Sequence, residues 1–111
     1  MNVWSLDKHK SLKLLLLRLD KQIGFKKISF ARDEDDDYQT VMLVKPDQPD
    51  IRAYIYTHGQ AENIYGIHLE YPWFIENEFN DSILVYENLT MQQVINSMVT
   101  HFDVASYEMV V

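Results

Sequence analysis

The chain of 111 residues contains no cysteine. That removes disulfides, thiolate metal centres and cysteine nucleophiles from consideration. Its three glycines, Gly24, Gly59 and Gly66, stand singly, so no glycine-rich loop is present to cradle a phosphate. Unbroken apolar runs reach only four residues, as at 14–17, 41–44 and 83–86, far short of the roughly 20 that a membrane-spanning helix needs. The leucine-rich stretch near the start is broken by Lys13 and Arg18 and leads to no small-residue cleavage site, which argues against a signal peptide. A cytoplasmic location is the expectation. The last 59 residues lack any lysine or arginine: every base lies at or before Arg52.

What is present is an ordinary globular balance, 47% hydrophobic and 24% charged, in a length that suits a single domain over 1–111. Net charge is −7 and unevenly spread. The first 27 residues carry seven bases against two acids; residues 28–111 carry three bases against fifteen acids. Such a field repels nucleic-acid backbones and anionic membranes, and it steers a basic protein partner towards encounter.

Periodicity supplies the fold. Ser5 is placed to cap a first helix with Asp7 in its first turn, and Leu12, Leu15, Leu16, Leu19 and Ile23 follow at helical spacing. Gly24 stands where a left-handed residue closes a helix. Ile28 and Phe30 begin a strand. A second runs over 38–45, apolar on both faces through Val41, Met42, Leu43 and Val44, as a central strand would be. A third covers 51–57, with Tyr54 and Tyr56 on one face and Ile51, Ala53 and Ile55 on the other; if the second face of the sheet is open, these tyrosines would line it, as aromatics line binding surfaces. A fourth covers 64–71, with Tyr65, Ile67, Leu69 and Tyr71 alternating against Gly66, His68 and Glu70. A short fifth covers 83–87. Thr90 and Gln93 form a capping box, with Leu89 and Val94 as its hydrophobic staple. Met91, Val94, Ile95, Met98, Val99 and Phe102 then line one face of a closing helix. In the tail, Tyr107, Met109 and Val110 read either as an edge strand or as core. Short turns favour an antiparallel meander of about five strands, with both helices on one face: an α+β fold.

Chemistry-bearing patterns are few. Asp33, Asp35 and Asp37 have the spacing of a calcium loop's first ligands, but Tyr38 stands where glycine is required and Val44 where glutamate is required. The run Asp33, Glu34, Asp35, Asp36, Asp37 therefore reads as a solvated hairpin loop or an electrostatic docking surface, and no metal or other cofactor is expected. The histidines His9, His58, His68 and His101 share no metal-ligand spacing. His68 and Glu70 share a strand face, which would suit an acid–base pair in a small-molecule enzyme; the plainer reading is two polar neighbours on a sheet. The second candidate surface is Glu70, Tyr71, Trp73, Phe74, Glu76 and Glu78, where acids that steer and aromatics that anchor share one segment. Trp73 and Phe74 read equally well as a lid on the core.

The segment Ile64-Tyr65-Gly66-Ile67-His68-Leu69-Glu70-Tyr71-Pro72-Trp73 and the ending Glu87-Asn88-Leu89-Thr90-Met91, within a small acidic cysteine-free α+β chain, resemble the bacterial immunity proteins of toxin–immunity systems, including those of contact-dependent inhibition. The resemblance implies a cytoplasmic inhibitor, not an enzyme, that covers the active site of a cognate basic toxin domain such as a nuclease. Alternatives are a small acidic secretion chaperone, which often dimerises, and a ligand-binding domain or enzyme built on His68 and Glu70. A homodimer is open under either binding reading.

Overall fold

The computed structural model describes residues 3–30, 37–70 and 83–102. A short 3-10 turn, Val3–Ser5, precedes helix α1 (Lys10–Gln22); the strands β1 (Ser29–Phe30), β2 (Thr40–Lys45), β3 (Gln48–Tyr56), β4 (Tyr65–Glu70) and β5 (Ile83–Leu89) follow, and helix α2 (Met91–Phe102) closes the order. The five strands form one antiparallel sheet in chain order, β1-β2-β3-β4-β5. Both helices pack against the sheet, giving the α+β fold that the periodicity predicts.

The packing follows from alternation. Val41 pairs with Ile55 and Ile55 with Ile67; Leu43 pairs with Ala53 and Ala53 with Leu69. These side chains share one sheet face and are buried with Leu12, Leu15, Leu16 and Leu19 of α1 and Val94, Ile95, Met98 and Phe102 of α2 in a single core. Tyr65 joins that core and donates its hydroxyl to the Ser11 carbonyl at 2.7 Å, tying β4 to α1. Burial pushes its phenol up to about 12, so it stays a donor. The helices also touch each other: Gln92 Oε1 accepts from Gln22 at 3.4 Å and from Arg18 at 3.5 Å.

Several boundaries depart from the sequence expectation. Ser5 does not cap α1, because it lies in the 3-10 turn closed by Leu6 N–H to the Val3 carbonyl. His9 takes the cap position instead, its Nδ1 accepting from the Ser11 amide at 3.0 Å. Tyr38 belongs to a turn rather than to β2: Asp37 Oδ1 accepts from Gln39 N–H at 2.8 Å and holds that turn. β3 starts at Gln48, since Pro46 and Asp47 alone make the turn and a register shift at Val44/Lys45 lets Lys45 pair with Gln48. β5 runs on to Leu89. Gly24 has φ +98°, as a helix-closing glycine should. The capping box forms in both directions, Thr90 N–H to Gln93 Oε1 at 2.8 Å and Gln93 N–H to Thr90 Oγ1 at 3.3 Å. Among the described residues, no helix is long and apolar enough to cross a membrane.

Candidate functional site: the helix-free face of the sheet

Residues of opposite parity to the core line the other face of the sheet. Met42 pairs with Tyr54, Tyr54 with His68 and His68 with Val85; Val44 pairs with Arg52 and Arg52 with Glu70. No described helix lies over this face. Its centre is aromatic. Tyr54 is 5.5 Å from His68 and 6.1 Å from Tyr56, ring centre to ring centre. His68 meets Tyr56 edge-on at 5.3 Å, and His58, just past the end of β3, stacks on Tyr56 at 4.6 Å.

Tyr56 is the keystone of the group. It pairs in register with Gly66 on β4, and a side chain there would overlap the Tyr56 ring. The missing Cβ lets the ring lie across β4 and reach β5, where its hydroxyl donates to Glu87 Oε2 at 2.8 Å. An isolated glycine inside a strand marks such a close approach. Burial, then the Glu87 hydrogen bond and charge, push the Tyr56 phenol up to about 12. It is thus a fixed hydrogen-bond donor rather than a base or nucleophile. Gln60, in the β3–β4 turn, completes the arrangement. Its Nε2 donates to the same Glu87 oxygen at 3.3 Å and its Oε1 accepts from Asn88 N–H at 3.0 Å. Asn88 has φ +60° and lies where the β4–β5 register shifts, so Gln60 clamps a bulge that aims Glu87 at Tyr56.

Arg52 is the one Lys or Arg on this face among the described strands, and Glu70 engages it: Arg52 Nε donates to Glu70 Oε1 at 3.0 Å and Nη2 lies 2.8 Å from the same oxygen. The His68–Glu70 pairing considered from sequence therefore resolves into two other interactions, Glu70 with Arg52 and His68 with tyrosine rings. Among the described residues, no group of three or more acids and histidines could hold a metal ion.

Of the sequence-predicted partner residues, Asp37 and Glu70 are described. Asp37 organises the turn before β2 and its carbonyl accepts from Lys8 Nζ at 2.7 Å; Glu70 lies on the rim of the helix-free face. The structure does not bring these two into one patch: Asp37 borders the end of β2 that starts at Thr40, while Glu70 sits across from Arg52 at the far end of β4. Asp33, Glu34, Asp35, Asp36, Tyr71, Trp73, Phe74, Glu76 and Glu78 lie outside the described residues, as does the tail 103–111. Sequence reasoning passed over Gly66, Gln60 and Glu87 as a unit. The signals were an isolated glycine in a strand pattern and an asparagine just before a helix cap.

A second feature lies on the helix side, at the sheet's last strand. Leu69, Leu84 and Tyr86 of the sheet and Asn96, Ser97, Thr100 and His101 of α2 line an open groove of about 360 Å³. Leu84, Val85 and Tyr86 are 40%, 53% and 47% exposed, three consecutive apolar residues on an outermost strand. No family model, curated protein or solved structure matches the chain.

Proposed function

We propose that this protein is a cytoplasmic inhibitor of the immunity type, which binds a basic toxin domain through the helix-free face of its sheet. The observation that carries the reading is the cluster Tyr54, His58 and His68, packed on the buried Tyr56 ring and presented on a face that no described helix covers, where Arg52, its one Lys or Arg among the described strands, is already ion-paired. Tyrosines held rigid by their neighbours supply contact area at little entropic cost, the property of interface anchors. The surrounding acidic charge, twelve net negatives over residues 28–111, supplies steering. A tyrosine locked as a donor and carboxylates already satisfied suit recognition better than acid–base turnover.

The test is co-expression with the protein encoded by the adjacent gene. The expected result is rescue of growth from that protein's toxicity and a complex whose association slows as salt rises. Tyr54→Ala should speed dissociation about 30-fold, the equivalent of a 2 kcal/mol hot spot, with the circular dichroism spectrum unchanged. Absence of a complex, or folded Tyr54→Ala and His68→Ala variants that dissociate at the parent rate, would refute the reading. The groove beside β5 favours a second reading, a small acidic secretion chaperone. There the adjacent protein would be stabilised and exported rather than inhibited.

A further inference from the structure

We infer that β5 pairs with β5 of a second copy of this chain, joining two five-stranded sheets edge to edge. The two edges of the sheet are built differently. Among the described residues β1 spans only Ser29–Phe30, and Lys26 and Lys27 precede it, lysines of the kind that discourage strand addition. β5 is seven residues long and bears neither lysine nor proline. Its residues Leu84, Val85 and Tyr86 are exposed in a row, whereas the other exposed large apolar residues among those described, Trp4 and Tyr38, stand singly.

The charge pattern selects a copy of the chain as occupant. A basic partner would be drawn to acids, yet none of the residues lining the groove beside β5 is an aspartate, glutamate, lysine or arginine. An uncharged strip is where two molecules of net charge −7 can meet at least repulsive cost. The strand is also self-complementary. A two-fold axis at Val85 sets Val85 against Val85 and Leu84 against Tyr86 twice, aliphatic–aromatic cross-strand pairs of the stabilising kind. The same register sets Glu87 across from position 83 rather than from a second Glu87. It also ends the pairing before Asn88, where the bulge would interrupt it. The helix-free faces of the two copies then form one continuous surface, and the inference goes beyond the inhibitor reading without depending on it.

Light scattering and sedimentation of the isolated chain over a concentration series should show a monomer–dimer equilibrium. Added salt should strengthen it, because screening relieves repulsion between the two acidic bodies. Val85→Lys, at a half-exposed position, should raise the dimer dissociation constant about tenfold or more while leaving the melting temperature of the dilute monomer in place. The absence of native cysteine permits a direct check. Val85→Cys should oxidise to a disulfide-linked dimer, since facing residues in antiparallel strands lie about 4.5–5.5 Å apart, within disulfide reach. Tyr38→Cys, equally exposed but remote from β5, should not. A chain that stays monomeric at every concentration and salt overturns the inference. So does a Val85→Lys variant that dimerises like the parent. A monomer whose β5 amides resist hydrogen exchange would place a segment of the same chain on this edge and overturn it equally.

Discussion

Gly66→Ala should destabilise the protein, although alanine in a strand is ordinarily the better residue. The backbone at Gly66 has no positive φ; only Gly24 and Gly59 do among the glycines. On conformational entropy alone the substitution would therefore stabilise by about 0.4–1 kcal/mol. The new methyl, however, would meet the Tyr56 ring and stand 2.6 Å from its hydroxyl oxygen. Tyr56 has little room to yield, with 4% of its surface exposed, His58 stacked on one side and Glu87 holding its hydroxyl. Overpacking of this kind costs about 1–3 kcal/mol. If the ring swings away instead, the hydrogen bond to a carboxylate is lost, worth about 1.5–3 kcal/mol. Either route outweighs the entropic gain, for a net loss of about 1–2 kcal/mol and a fall of roughly 4–16 °C in melting temperature for a domain of this size. Urea unfolding monitored by circular dichroism measures it. The decisive control is Tyr56→Leu, which removes the ring from above Gly66. In that background Gly66→Ala should become neutral or slightly stabilising. A Gly66→Ala penalty below about 0.5 kcal/mol, or one of the same size in both backgrounds, would refute the claim that the missing Cβ makes room for Tyr56.

Two further outcomes are expected. Ile95→Ala, at a fully buried position on the sheet-facing side of α2, should cost about 2–5 kcal/mol in chemical denaturation, and a change under about 0.5 kcal/mol would mean that α2 is not packed on the sheet as described. Tyr56 and Tyr65 have phenols raised to about 12 in the folded state from 10.0, so folding favours their protonated forms. The stability they contribute is complete below pH 10 and is lost as the pH rises towards 12. Tyrosinate absorbance should accordingly contain a component that ionises only as the pH nears 12 and that Tyr56→Phe and Tyr65→Phe each diminish, with thermal stability falling over the same interval; substitutions that leave this component unchanged would contradict it.

Legibility in the sequence tracks how local each determinant is. The α2 capping box needs only Thr90 and Gln93, three residues apart, and both of its hydrogen bonds form. The strand faces were readable because alternation is a property of neighbours: Ala53 and Ile55 enter the core while Tyr54 stays on the other face. The start of α1 was not readable, because a serine with a nearby acid satisfies the capping pattern wherever it occurs. What decides the boundary is the 3-10 turn that takes up Ser5 and leaves the cap to the His9 ring. Gly66 was visible as an isolated glycine, but its purpose depends on Tyr56 from one neighbouring strand and Glu87 from the other.

The tyrosine face was legible from the alternation of Tyr54 and Tyr56 against Ala53 and Ile55; that it is left open, and that β5 is exposed, was not. Acidic runs announce charge, so weight fell on 33–37 and 70–78, whereas exposure is decided by strand order. Leu84 pairs with Leu69 and Tyr86 with Ile67, both partners lying in the core, so alternation alone would bury Leu84 and Tyr86 as well. Being on the last strand reverses that outcome. α2 covers the core-facing side of β3 and β4 more completely than that of β5, and two residues with core parity are left roughly half in solvent. The helix-free face arises from the same arithmetic. Two helices of twelve and thirteen residues cover one side of a five-stranded sheet, and the side they leave carries tyrosine and histidine where a two-sided core would carry valine and leucine. Alternation within β3 sets Tyr54 and Tyr56 on one face; the packing of both helices against the other face is what leaves it open.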